Sequence, residues 1–259
     1  GSSSQNVAVG GNSLIAVNDG NNNVAIGYGS AIALNSGDEN VVLGSESGYD
    51  LTSGAESVLI GSRAGYNLTT TSGNVAIGRY TLYNSGDAVD CIAIGRQAMY
   101  SGSATQAGTI AIGKDALVNL SSGGSNTAVG YQSLDALTTG DGNTALGYQA
   151  LHQVDGATAS TSSHNTAIGY LSMGGDWAND QDSEYNVAVG GNTMIGAMND
   201  SNFNSALGYA ALASLTHGDN NTAIGKDALN VLTSGTHNVA VGARCGDALT
   251  DGNYNVFIG

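Results

Sequence analysis

Hydrophobic residues recur along this chain in a short word that is repeated fifteen times. Each copy reads Asn-x-Ala-Ile-Gly or a close variant, with an aliphatic residue directly before an invariant glycine. The step from one glycine to the next is the same in ten cases, as from Gly10 to Gly27, and longer by a single residue in two. The two steps on either side of Gly169 are longer still. A fixed short period carried over a whole chain indicates a solenoid or a related repeat architecture. The invariant glycines are Gly10, Gly27, Gly44, Gly61, Gly78, Gly95, Gly113, Gly130, Gly147, Gly169, Gly190, Gly208, Gly225, Gly242 and Gly259.

The residues before each glycine predict a short strand. With the glycine as position zero, position −1 is Ile, Val or Leu in every copy, position −2 is usually Ala, and position −3 is Val, Ile, Thr or Ser. Side chains alternate between the two faces of a strand, so both faces of this one are apolar and both need a cover. Its own coil covers one face, and we expect neighbouring subunits to cover the other. Alternatively, a second segment of the same chain covers that other face.

Each coil closes through a second apolar segment and a polar turn. Position +3 is small, and positions +4 and +7 are often Leu, as in Leu134 and Leu137. This spacing fits a corner or one short helical turn. Position −4 is Asn in twelve copies, which predicts a ladder of amides hydrogen-bonded from coil to coil. We therefore predict an all-β, parallel β-roll or β-solenoid of about 15 coils with a 17-residue period, assembled as an obligate oligomer. The alternative is a solenoid with one strand and one short helical turn per coil.

The chain reads as one repeat array. Residues 1–5 are interpreted as a cloning scar and the N-terminal edge, and residues 6–259 as a single array with expanded coils at 148–190. Insertions into a solenoid become loops on one side, often the binding side.

Composition excludes several classes of function. The formal net charge is −15, with 6 Lys and Arg against 21 Asp and Glu, which argues against nucleic-acid binding and anionic membrane surfaces. No apolar run is long enough to span a membrane. No catalytic motif, metal motif or phosphate-binding loop is found, so we expect neither enzymatic activity nor a cofactor. The two cysteines, Cys91 and Cys245, are too many coils apart to form a disulfide within one chain.

The repeated word resembles a known family. The Asn-x-Ala-Ile-Gly core, with a small residue three positions later, resembles the head repeats of YadA-like trimeric autotransporter adhesins. Runs such as Asn143 to Leu151 are similar to repeats in the tail fibres of bacteriophages. The resemblance implies a trimer of parallel β-rolls, left-handed in that family, that forms a rod for surface attachment. The adhesin repeat is shorter than the repeat of this chain, which favours the phage-fibre branch.

The expected function is thus a structural and adhesive segment of a trimeric fibre that attaches to a host cell or surface. Its expected place is a virion tail fibre, and its expected partner is a host surface glycan or surface protein. One alternative is the head of a bacterial trimeric autotransporter adhesin on the cell surface. Another is a fibre-borne polysaccharide hydrolase, which would need two carboxylates at a glycosidic bond.

Three groups of residues are candidates for ligand binding. One is a file of tyrosines at position +5 of four consecutive coils, and another is a run of cations at position +1 of three coils. Stacked aromatics with polar tips suit sugars, and a structural stacking ladder is the simpler interpretation of the file. The cations suit an anionic glycan, a partner chain's carboxylates or plain solvation. The tyrosines are Tyr49, Tyr66, Tyr83 and Tyr100, and the cations are Arg79, Arg96 and Lys114.

The third group lies in the second expanded coil, which carries the only Trp of the chain. A lone Trp among carboxylates suits a recognition tip, and a tolerated loop is the simpler interpretation. The carboxylates match no known calcium loop, and no metal site is predicted. The residues of this group are Asp176, Trp177, Asp180, Asp182, Glu184 and Tyr185.

Overall fold

Fifteen three-residue strands account for all the regular secondary structure that the computed structural model describes. The described residues are 3–86, 88–101, 107–152, 162–175 and 182–259. The strands are β1 (Val7–Val9), β2 (Val24–Ile26), β3 (Val41–Leu43), β4 (Val58–Ile60), β5 (Val75–Ile77), β6 (Ile92–Ile94), β7 (Ile110–Ile112), β8 (Thr127–Val129), β9 (Thr144–Leu146), β10 (Thr166–Ile168), β11 (Val187–Val189), β12 (Ser205–Leu207), β13 (Thr222–Ile224), β14 (Val239–Val241) and β15 (Val256–Ile258).

The chain divides into two compact units, residues 1–126 and residues 127–259. In the first unit the consecutive strands β1 to β7 pair in parallel, each of β1 to β6 with the strand that follows it. In the second unit β8 to β15 pair in the same way. Equivalent positions of adjacent coils always face each other, as in Ala167 opposite Ala188. The prediction of an all-β parallel solenoid with one strand in each repeat is confirmed for each unit.

The segment after each glycine is a series of turns, and no helix is present among the described residues. The alternative with one helical turn per coil is therefore wrong for this part of the chain. The Leu spacing instead marks tight turns, in which the N–H of Leu34 donates to the carbonyl oxygen of Ala31 at 3.2 Å. Backbone φ is positive at positions +2 and +4 of each coil, as in Glu46 and Leu117. A β-turn and a helical turn share this spacing, which is why the sequence alone left both open.

The core of each coil is a thin layer of small and medium side chains. Alanine at position −2 is completely buried in most coils, as are the small residue at +3 and the leucines at +4 and +7. Serine at +3 satisfies its hydroxyl within the core, since Ser30 Oγ donates to the carbonyl oxygen of Val42 at 3.0 Å. Because position −2 faces this core, positions −1 and −3 face outward, and they are half-buried or exposed in the chain by itself.

The invariant glycines are required both by conformation and by space. Their φ angles lie between 125° and 152°, a region that side chains with a Cβ rarely adopt. A Cβ on Gly44 would lie 2.5 Å from the carbonyl oxygen of Gly61 in the next coil. The close approach of coil to coil at this corner therefore excludes every other residue.

The predicted asparagine ladder is present in both units. Asn40 is fully buried; its Nδ2 donates to Asn23 Oδ1 at 2.9 Å and to the carbonyl oxygen of Gly54 at 2.9 Å. Its Oδ1 accepts the N–H of Ser57 at 3.1 Å. Each amide thus connects three successive coils and satisfies backbone groups that the strands leave free. In the second unit the same pattern joins Asn204, Asn221 and Asn238.

Cys91 is buried and Cys245 half-buried, and neither is in a disulfide.

Candidate functional site

The predicted tyrosine file forms a continuous stack in the first unit. The rings of Tyr49, Tyr66, Tyr83 and Tyr100 follow one another at centroid distances of 4.9, 5.1 and 5.2 Å. The register of the strands enforces this, because equivalent positions of successive coils lie one strand spacing apart. Each inner ring is covered on both faces by its neighbours, so only ring edges remain at the surface. A sugar that stacks on an aromatic face finds no free face along the middle of this file, which favours the structural interpretation.

Two arginines converge on Tyr80 beside this stack. Arg79 donates to the Tyr80 hydroxyl at 3.2 Å, with its guanidinium carbon 4.6 Å from the ring centroid. Arg63 donates to the same hydroxyl at 3.3 Å and forms an ion pair with Glu46 at 2.6 Å. The Tyr80 ring meets Tyr83 edge to face at 5.3 Å. The tyrosine stack and the two arginines therefore form one connected cluster.

Electrostatics within the cluster follow from these contacts. The hydrogen bond from Arg79 favours the phenolate and, with the charges of Arg79 and Arg63, lowers the pKa of Tyr80 below its usual value despite some desolvation. Tyr66 behaves oppositely: desolvation, reinforced by the charges of Glu46 and Asp50, raises its pKa. Neighbouring rings of one cluster are thus held in different electrostatic surroundings.

Two of the three predicted cations contact other side chains of the chain itself. Lys114 pairs with Asp115 at 2.8 Å, and Arg79 lies over the Tyr80 ring. Arg96, between them in the file, is exposed. The three do not form a single isolated basic patch.

Tyrosines at position +1 form another stack, in the second unit. Tyr131, Tyr148 and Tyr170 are spaced at 5.4 Å, with rings within 13° of parallel. The file holds a glycine, Gly191, in the next coil and a tyrosine again, Tyr209, in the one after. Tyr170 and Tyr209 are more than half exposed.

A file at position −5 was missed by the sequence reasoning. His164, Tyr185 and Phe203 stack at 4.9 and 5.2 Å, each two residues before the start of strand β10, β11 or β12. His237 and Tyr254 stack in the same file at 4.8 Å. Tyr185, a candidate for ligand binding, is therefore a member of this aromatic file. The signal was present at a constant offset from the glycines, but the three residues differ in type and the expanded coils break the regular step.

The second expanded coil is described only in part. Asp176, Trp177 and Asp180 lie outside the described residues. Asp182 is exposed and Glu184 half-buried; the N–H of Glu184 donates to Asn202 Oδ1 at 2.8 Å. Within the described residues, no three His, Cys, Asp or Glu side chains are grouped so that they could hold a metal ion. No helix in the same residues is long and apolar enough to cross a membrane.

Each unit also presents the outward face of its strands at the surface. Aliphatic side chains at −1, many of them joined by others at −3, line it in every coil, with Ile26 42%, Leu207 51% and Ile224 40% exposed. In the second unit the aromatic residues at −5 stand two positions before the strands that form this face. Rows of exposed aliphatic and aromatic residues of this kind mark interaction surfaces. No family model matches this chain, and no curated protein matches it either.

Proposed function

We propose that this chain is a structural and adhesive segment of a homotrimeric fibre that attaches to a host cell or surface. The observation that carries the proposal is the apolar outward face of the strands, which the coil itself leaves uncovered. Exposed aliphatic side chains repeated at every strand spacing are costly in water, at about 25 cal/mol for each Å². A second and third copy of the same regular face are the most economical cover, because identical spacing lets every coil contribute equally.

The number three and the fibre role rest on the resemblance of the repeated word to trimeric adhesin heads and phage tail fibres. A solenoid suits both kinds of fibre, because each added coil lengthens the array and contacts only its neighbouring coils. Of the two, the longer repeat favours a virion tail fibre over the head of a bacterial autotransporter adhesin. The partner of the fibre is a host surface glycan or a surface protein.

The mass of the chain in solution tests the assembly. Sedimentation equilibrium should return three times the 25.7 kDa of one chain over a wide range of concentrations. A mass of one chain would contradict the proposal. Binding of the fluorescently labelled protein to cells of candidate hosts, compared with cells stripped of surface glycan or protein, then tests the attachment role separately.

A further inference from the structure

The outward face of strand β6 in the first unit has an opposite charge at each end. Buried and exposed or half-buried side chains alternate along this strand and the residues that flank it. Side chains at alternate positions lie on the same face. The residues on the outward face are Asp90, Ile92, Ile94 and Arg96, and both charged ones are exposed. One row of this face therefore starts at a carboxylate, crosses two aliphatic side chains and ends at a guanidinium.

The same polarity is present in the neighbouring coils of the first unit. At position −5 the charged residues of this unit are all carboxylates, and at position +1 they are all cations. The outward face thus has an acidic edge before its strands and a basic edge after the invariant glycines, with aliphatic side chains between the two. The acidic edge holds Glu39, Glu56 and Asp90, and the basic edge holds Arg79, Arg96 and Lys114.

Asp90 and Arg96 belong to the same coil, but they do not pair with each other. Strand β6 lies between them, and six extended residues span at most roughly 20 Å. Neither side chain forms an ion pair with any other described residue, whereas Arg63, Lys114 and Lys226 each do. Both charges are therefore available to a partner outside the chain.

The two edges favour one relative direction of two copies of this face. Rotation about an axis parallel to the stack of coils places the acidic edge of one copy against the basic edge of the next. Antiparallel copies would instead place carboxylates opposite carboxylates, which is unfavourable. Closed rotational symmetry leaves no shift along the stack, so each coil meets the same coil of the next copy.

We infer that the outward face of the first unit binds a second copy of this chain in the same direction and coil for coil, with Asp90 of one copy paired to Arg96 of the next. Charge pairs at the rim of an apolar contact determine direction and register more than affinity. A shift of one coil would place Asp90 opposite Lys114 instead, so the pair also specifies the register. The inference rests on the proposed assembly of identical copies and names the charges that orient them.

Exchange of the two charges tests the pair. Asp90→Arg or Arg96→Asp alone brings like charges together at every contact between copies. At a urea concentration that half dissociates the native assembly, sedimentation equilibrium should give each single variant an association constant at least roughly tenfold lower. The combined variant, Asp90→Arg with Arg96→Asp, should return to within about threefold of the native value. Asp90→Arg with Lys114→Asp is the matched control for a one-coil shift and should stay at least roughly fivefold below the native value.

A mixture of the two single variants distinguishes a pair between copies from a pair within one chain. Wherever an Asp90→Arg chain meets an Arg96→Asp chain, opposite charges face each other in either order. The mixture should therefore assemble more tightly than either variant alone, which a fluorescent label on one variant detects in the same sedimentation experiment. A pair within one chain would gain nothing from mixing. Unchanged circular dichroism spectra show that each variant is folded.

The inference is overturned if either single variant assembles as tightly as the native protein, or if the combined exchange restores nothing. It is also overturned if Lys114→Asp rescues Asp90→Arg better than Arg96→Asp does, or if mixing the single variants has no effect. Each of these results leaves the proposed assembly intact as long as the native protein sediments at three times the mass of one chain. A native mass of one chain contradicts both, so the two failures are distinguishable.

Discussion

Replacing Asn40 by alanine removes one amide from the middle of the buried ladder in the first unit. The change deletes the hydrogen bonds from Asn40 Nδ2 to Asn23 Oδ1 and to the carbonyl oxygen of Gly54, and the bond from the Ser57 N–H to Asn40 Oδ1. Asn40 and Ser57 are at most 1% exposed, so water does not replace the lost partners without opening the coil.

The expected loss of stability follows from these three bonds. Each contributes about 1 kcal/mol net, and an orphaned buried N–H costs a further 1–3 kcal/mol or so. We therefore expect the free energy of unfolding to fall by roughly 4–6 kcal/mol. Asn18→Ala is the matched control. Its amide donates only to Asp19 Oδ2, at 3.2 Å on the surface, and its removal should cost less than about 0.5 kcal/mol.

Urea unfolding followed by circular dichroism, at one fixed protein concentration, measures both variants. The Asn40→Ala midpoint should fall by about 1 M or more, while the Asn18→Ala midpoint should stay near that of the native protein. Equal midpoints for the two variants would refute the ladder as a source of stability. Faster hydrogen exchange at the Ser57 amide should accompany the lower midpoint, because that group has lost its acceptor.

Three further changes test other parts of the structure. Gly190→Ala should lower the free energy of unfolding by roughly 3 kcal/mol or more and Gly191→Ala by less than about 0.5 kcal/mol, measured by urea unfolding, because only the first has a positive φ and a backbone clash. Tyr80 should ionise below the usual tyrosine pKa in a titration of ultraviolet absorbance, and Arg79→Gln should move its pKa upward by removing the hydrogen bond. Tyr66→Ala should cost about 1–3 kcal/mol in thermal unfolding, because it removes two stacking contacts.

The controls for these three changes differ. Tyr28 has no ring stacked on it among the described residues, so Tyr28→Ala should lower the free energy of unfolding far less than Tyr66→Ala does. Equal losses for the two variants would contradict the stacking account.

The raised pKa of Tyr66 means that its contribution to stability is present below the unfolded pKa and is lost as the pH rises through the higher folded pKa. If the pKa of Tyr80 is the same in the native protein and in Arg79→Gln, the hydrogen bond from Arg79 does not set that pKa.

Those parts of the fold that depend on strict periodicity could be predicted from the sequence. Asparagine at −4 recurs because its amide hydrogen-bonds to the neighbouring coils in the same way in each repeat. Glycine at zero recurs because each corner has the same positive φ and the same close approach to the next coil. The conformation after the glycine could not be decided, since Leu134 and Leu137 are spaced alike in a β-turn and in a helical turn. A positive φ is unfavourable for a leucine, so the residue type at positions such as Leu117 does not predict the conformation found there.

The candidate site was predicted less completely. The file from Tyr49 to Tyr100 could be located because four identical residues recur at one step. Its stacking was foreseen, but the covering of ring faces follows only from the close ring spacing in three dimensions. The file of His164, Tyr185 and Phe203 was not located, because its members differ in type and lie across two steps that both exceed the regular period.

The most direct test of the central claim places charge on the outward strand face. Leu207→Asp combined with Ile224→Asp alters two exposed side chains at −1, whereas Ile195→Asp combined with Ala213→Asp alters two partly exposed positions at +5 in the same unit. Sedimentation equilibrium should show the first variant at or near the 25.7 kDa of one chain, with an unchanged circular dichroism spectrum, and the second at three times that mass. Equal masses for the two variants would contradict the claim that this face joins the copies.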